Sequence, residues 1–216
     1  MGDFHPVTLA IIAANVLFSL KGFNDFNFKE KYLFNIGGIR RGEHIRMLSS
    51  GFLHANTAHL FFNMFTLYFF ADAVIYQLGP LRFLIIYLAS LLIGNLLSYF
   101  FHKDEYHYRA LGASGAVSGV LYSAILLQPG MSLYLFLIPI PIPAYIFGIG
   151  YLLYSIYGMK ARADNVGHDA HFGGAIGGYV LTLAMVPILF QTNMLMIILL
   201  AIPIIILFIM IKLGKI

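Results

Sequence analysis

Seven stretches of near-continuous apolar sequence follow one another along this 216-residue chain. They are Val7 to Leu20, Ala58 to Leu78, Phe83 to Phe101, Ala113 to Gln128, Leu133 to Tyr157, Phe172 to Phe190 and Met194 to Ile211. Most are long enough to cross a hydrocarbon layer. Backbone polar groups in hydrocarbon must bond one another, which permits helices or closed barrels only. These runs are too long for barrel strands and do not alternate, so they predict helices. In the fifth run Pro139, Pro141 and Pro143 delay the helix to near Ala144.

Composition agrees. Hydrophobic residues make up 60% and charged residues 10%, against about 45–50% and about 25% in a soluble domain. That leaves too little charged surface to coat a water-soluble globule. A soluble enzyme, a disordered chain and a nucleic-acid binder are excluded. The net charge of +4 fits loops at lipid headgroups. With no cysteine there is no disulfide, thiolate nucleophile or cysteine metal site. The expected fold class is an all-α polytopic membrane protein, its partner surface the lipid bilayer.

Met1 to Pro6 carries Asp3 and no Lys or Arg, so no basic start of a cleavable signal is read there. Pro6 stands where a myristoylation motif wants Ser or Thr. The long first connection, residues 21–56, mixes Lys21, Lys29 and Lys31 with Phe23, Phe26, Phe28, Tyr32 and Phe34. That mixture predicts a segment lying in the headgroup zone. The odd loops and the C-terminus hold 12 of the 13 Lys and Arg, leaving only Arg82 for the other side. By the positive-inside rule the N-terminus would lie outside.

Polar groups inside the spans are costly and default to functional hypotheses. His59 and Asn63 lie four residues apart, on one face of the second helix. They offer convergent donors, or a pair of interhelical hydrogen bonds. Gly112-Ala113-Ser114-Gly115 opens the fourth span. A serine at a helix start, with free N–H groups nearby and glycine on both sides, meets the needs of a nucleophile beside an oxyanion pocket. Gly115 and Gly119 equally read as a small-residue packing stripe. His168 and His171 precede the sixth span, and Gly174 and Gly178 lie within about 60° of His171 on a helix. A neighbouring helix could approach closely there. If that neighbour is the fourth helix, Ser114 meets His171. A competing reading gathers His54, His59, His168 and His171 as metal ligands, although the second, fourth and sixth spans hold no Asp or Glu except Asp72 to serve as general base.

Together, these elements resemble the rhomboid intramembrane serine proteases, over roughly residues 40 to 185. The resemblance rests on His59-x-x-x-Asn63, on Gly112-Ala113-Ser114-Gly115, and on Ala170-His171-Phe172-Gly173-Gly174 with Gly178. Glu43 and Arg46 stand where the family keeps an Arg-centred motif, with Ile45 in place of the usual Trp; His54 and Gly79 also fall on familiar positions. The resemblance implies a six-helix core over residues 1–190, including the interfacial loop, plus an additional C-terminal transmembrane helix over 191–216. It implies a Ser–His dyad cutting transmembrane protein substrates, with Ser114 as nucleophile and His171 as general base. His59, Asn63 and the Ser114 backbone N–H would stabilise the oxyanion. Glu43, Arg46, Gly112, Gly115, Gly174 and Gly178 would be structural, with no cofactor and no metal required.

Two positions depart from the pattern. Family members often carry an aromatic four residues after the nucleophile, packed on the catalytic histidine; here that residue is Ser118. A family Glu in the second helix is Ile75. The resemblance also implies an inside N-terminus and a site opening outward, opposite to the charge count. The expected location is a bacterial cytoplasmic (inner) membrane. Rival readings are a non-catalytic rhomboid-like protein that binds membrane clients, and a transporter using the histidines.

Overall fold

The structure, a computed structural model, describes residues 5–133, 140–162 and 166–216; Asp3 and Pro139 lie outside them. The described residues contain seven long helices: α1 (Pro6–Asn24), α2 (Thr57–Leu78), α3 (Pro80–His102), α4 (Ser114–Leu127), α5 (Ala144–Ala161), α6 (His168–Met185) and α7 (Met194–Lys212). The protein is an all-α, multi-pass membrane protein. Helices α1, α2, α3 and α7 are each long and apolar enough to cross a membrane. Helix α5 begins at Ala144, directly after Pro143, as the prolines require.

Two boundaries differ from the expected ones. Helix α6 begins at His168, four residues before the apolar run, so His171 sits inside its first turn. Asp169 there is favoured by the positive end of the helix dipole. The first connection is also not a plain loop. It folds into short helices at Phe26–Tyr32, Ile36–Arg40 and Arg46–Ser49, then a 3-10 turn at Ser50–Phe52. Asp25 and Asn35 cap the first two, accepting from Phe28 N and Gly38 N. Arg46 fastens the whole segment. Its Nε donates to Glu43 Oε2 at 2.6 Å, and its Nη1 donates to the Glu30 and Leu33 carbonyls at 2.7 and 2.9 Å. A two-residue ladder pairs Phe34 and Asn35 with Ala110 and Arg109, clipping this segment to the loop before α4.

Helix α4 lies at the centre, with every residue from Gly115 to Leu127 buried. It meets α6 almost backbone to backbone, and α6 meets α3 in the same way. A Cβ on Gly174 would overlap the Gly115 carbonyl, and one on Gly178 would overlap that of Gly119. A Cβ on Gly94 of α3 would stand 2.6 Å from the Ala170 carbonyl oxygen, and one on Gly173 2.9 Å from Gly94 Cα. Small residues let helices that gain nothing from excluding water pack through direct contact. The small-residue stripe predicted at Gly115 and Gly119 is therefore real, and its partner is α6.

Gly174→Ala should cost stability at or above the upper end of the ~1–3 kcal/mol usual for overpacking, because its methyl meets backbone that cannot rotate away. Gly150→Ala, with nothing within 4 Å, should leave the melting temperature in detergent unchanged or slightly higher. Equal melting temperatures for the two variants would contradict this packing.

Candidate functional site

The start of α4, the first turns of α2 and α6, and the inner face of α5 enclose one cavity of about 870 Å³. Ser114, His171, His59, Asn63 and Gly112 all line it. Three separate sequence elements thus reach the same space. The cavity runs from Arg109, beside the loop before α4, to Leu121, two turns down that helix.

Local folding rules aim each side chain. Asn56 caps α2 by accepting from His59 N at 2.8 Å, which fixes where the helix begins and hence where His59 points. Gly112 has φ +132°, and a Cβ on it would stand 2.7 Å from His59 Cε1 and 2.8 Å from Nε2. The imidazole rests on a bare α-carbon that only glycine supplies. The same hypothetical Cβ would be 3.8 Å from Ser114 Oγ, so the imidazole and the hydroxyl flank one point. The Ala55 N–H makes a long 3.5 Å contact to His59 Nδ1. That assigns the ring proton to Nε2, on the cavity side. Asn63 Nδ2 donates one hydrogen to the His59 carbonyl at 3.0 Å; an amide nitrogen carries a second.

The loop that delivers Ser114 is tied down by groups outside the cavity wall. Ser19 Oγ donates to the Phe52 carbonyl at 3.1 Å, so the 2.9 Å contact with His54 Nδ1 must be donated by the imidazole. His54 Nε2 then accepts from Ala113 N at 3.4 Å, one residue before Ser114. Gly112 N donates to the Ser50 carbonyl at 3.0 Å. Asn95 of α3 donates to Ser50 Oγ at 3.1 Å and to the Met47 carbonyl at 2.7 Å. Asn95 also lines the cavity. The sequence reading passed over it, though an amide in an otherwise apolar span was signal enough.

His171 lies against Tyr151 of α5, ring centroids 5.6 Å apart and planes at 23°. Ser118, the position where an aromatic is usual, instead holds the Tyr151 phenol at 2.8 Å. Asp169 turns away from the cavity, its Oδ2 3.5 Å from His102 Nε2. His168 is buried beside Tyr154 and Gly158, outside the cavity lining. Ile75 is buried in the apolar core. Glu43 and Arg46 stay with the first connection, away from the cavity. His54 lies near His59 and His168 near His171, with ring centroids 5.0 and 6.0 Å apart. Among the described residues no three histidine or carboxylate side chains converge as metal ligands.

The rhomboid-domain family profile matches residues 41–188. RHOMBOID-like protein 12, mitochondrial, of Arabidopsis thaliana is 29% identical over 188 residues, covering 79% of this chain and 56% of that protein. Rhomboid protease GluP of Bacillus subtilis (strain 168) is 33% identical over 149 residues, 68% of this chain and 27% of its own length. Rhomboid protein 1, mitochondrial, of Saccharomyces cerevisiae is 31% identical over 137 residues, 62% of this chain and 40% of its own. The chain therefore spans little more than half of the first relative and less of the other two.

Burial, and secondarily the neighbouring His59, push His54 from the usual 6.5 down to about 3. Below pH 6.5 the unfolded chain takes up a proton there that the folded chain refuses, so stability is complete above 6.5 and is lost as pH falls toward 3. The melting temperature should fall across that window, and His54→Gln should flatten the fall. An unchanged slope in the variant would trace the acid sensitivity to other groups.

Proposed function

This chain belongs to the rhomboid family, and from that premise we propose that it is an intramembrane serine endopeptidase acting on transmembrane segments of other proteins. The observation that carries the reading is the meeting of Ser114, His171, His59 and Asn63 on one cavity. These residues come from three helices far apart in sequence, and nothing in apolar packing calls for a hydroxyl, two imidazoles and an amide to share a space. A cluster of polar side chains among membrane-spanning helices is expensive unless it is used.

In this reading His171 takes the Ser114 Oγ proton as the oxygen attacks the scissile carbonyl carbon. The carbonyl π pair moves onto oxygen. The Nε2–H of His59, the remaining Nδ2–H of Asn63 and the backbone N–H of Ser114 stabilise that oxyanion. Collapse breaks the C–N bond, and His171 returns the proton to the leaving amine. Water then attacks the acyl-serine with His171 again as base. The Ser–His pair works as a dyad, because Asp169 is engaged with His102.

The substrate's scissile bond must first leave its own helix, since a helical carbonyl is already hydrogen-bonded. Segments with weak helix formers should therefore be cut most readily. The proposal includes a catalytic core of residues 1–190 with α7, within 191–216, added to it. It also places the chain in a bacterial cytoplasmic (inner) membrane, N-terminus inside and cavity opening outward. That orientation follows the family reading over the Lys and Arg count.

Purified protein should cut a test transmembrane substrate with chelator present or absent. Ser114→Ala and His171→Ala should each abolish cutting, and Asn63→Ala should slow it about 10²–10³-fold. Wild-type rates from Ser114→Ala would end the protease reading, and loss of cutting by chelator alone would favour a metal. Reporters fused after Lys29 and after Lys103 should read extracytoplasmic; cytoplasmic signals at both would reverse the orientation.

A further inference from the structure

We propose that Tyr151, on α5, is the positioning residue that holds His171 in its working orientation. The inference rests on the protease reading above and extends it to a residue outside the dyad and the oxyanion donors.

Three rings form a column along the cavity wall. Phe147 and Tyr151, one turn apart on α5, lie 6.2 Å apart with planes at 9°. Tyr151 in turn stacks on His171. All three line the cavity. Tyr151 thus packs in an offset stack against one face of the imidazole.

The phenol is itself held. Ser118 Oγ donates its single hydrogen to the Ser114 carbonyl at 2.7 Å. The 2.8 Å contact between Ser118 Oγ and the Tyr151 hydroxyl must then be donated by Tyr151. A chain of contacts therefore runs from the Ser114 backbone through Ser118 and Tyr151 to the His171 ring. It links the backbone of one of the two groups that must exchange a proton to the ring of the other.

The helices are built to allow this reach. A Cβ on Gly148 would stand 2.8 Å from Ile125 Cδ1, so α5 approaches α4 closely one turn before Tyr151. Tyr122 of α4 donates to the Gly148 carbonyl at 2.8 Å and locks that approach. Ser118 is small enough to leave the ring its place. A bulky residue there would compete with Tyr151 for the same volume.

The test compares wild type, Tyr151→Leu and Tyr151→Phe by kcat, KM, the pH dependence of kcat and the melting temperature. Labelling of Ser114 by a serine-reactive fluorophosphonate probe reads dyad competence without a substrate. Tyr151→Leu should lower kcat and the labelling rate about 10²-fold, the scale of a small misplacement of a reacting group, while KM stays close to wild type. Its pH–rate profile should also shift on the acid limb, because the imidazole gains water on one face. Tyr151→Phe keeps the ring and should stay within about five-fold of wild type, with an unshifted profile.

Wild-type kcat in Tyr151→Leu would overturn the proposal. So would equal impairment in Tyr151→Phe, or a loss of kcat with the acid limb unmoved. Should Tyr151→Leu fail to melt cooperatively, Tyr151→Met, of similar bulk and without a ring face, stands in under the same criteria. If wild type neither cuts nor labels, the protease reading falls and this inference with it. If wild type does both and Tyr151→Leu matches it, this inference alone falls.

Discussion

Everything in the site depends on the contact between bare backbones where α4 crosses α6. Gly174 lies on the Gly115 carbonyl and Gly178 on that of Gly119. In a bilayer no hydrophobic effect drives helices together, so this contact works through close fit and dispersion, joined by hydrogen bonds from Thr182 to Ser123 at 2.7 Å and from Ser123 to the Gly178 carbonyl at 3.3 Å. It also sets register. Ser114 immediately precedes Gly115, and His171 lies about one turn before Gly174. One point of contact therefore fixes the height of both side chains at once. A slide of one helix past the other would separate them, and the carbonyl seated against each glycine resists that slide.

Around this crossing the structure replaces long-range rigidity with short polar ties. His54, Ser50 and Asn95 hold the loop before α4 through backbone N–H and carbonyl groups. Arg46 does the same for the first connection, spending its guanidinium on Glu43 and two carbonyls. Buried groups of this type are stable only when paired. That requirement makes them specific: each has one partner geometry, and each lies within a few residues of a cavity-lining group. Where the helices pack through apolar residues, no such precision is needed.

Much of this was legible in the sequence, and the reason is physical. Apolar runs of spanning length leave little choice of fold, and the proline cluster places the start of α5 at Ala144. His59, Asn63, Ser114 and His171 stood out because polar groups in hydrocarbon need a reason. The start of α6 was misjudged because His168 and Asp169 read as loop residues by polarity, although an acid in a first helical turn is favourable. The short helices of the first connection carried their signals in Asp25 and Asn35 as caps. Tyr151 could not be found that way. Helix α5 also carries Tyr145, Phe147, Tyr154 and Tyr157, and only a meeting across space distinguishes one ring among them.

The length of α4 sets it apart from the helices packed around it. Its 14 residues make a helix of about 21 Å at 1.5 Å per residue, shorter than the ~30 Å hydrocarbon layer. The 23 residues of α3 reach about 34 Å by the same rise. Helix α4 is therefore the shortest of the seven long helices. The chain leading into it, from Arg109 to Gly112, is tied to Phe34 and Asn35 on the way and to the Ser50 carbonyl at its end. The cavity lies along the first two turns of this short central helix, and longer helices form its other walls. The side chain at the start of α4, and at the wall of the cavity, is Ser114.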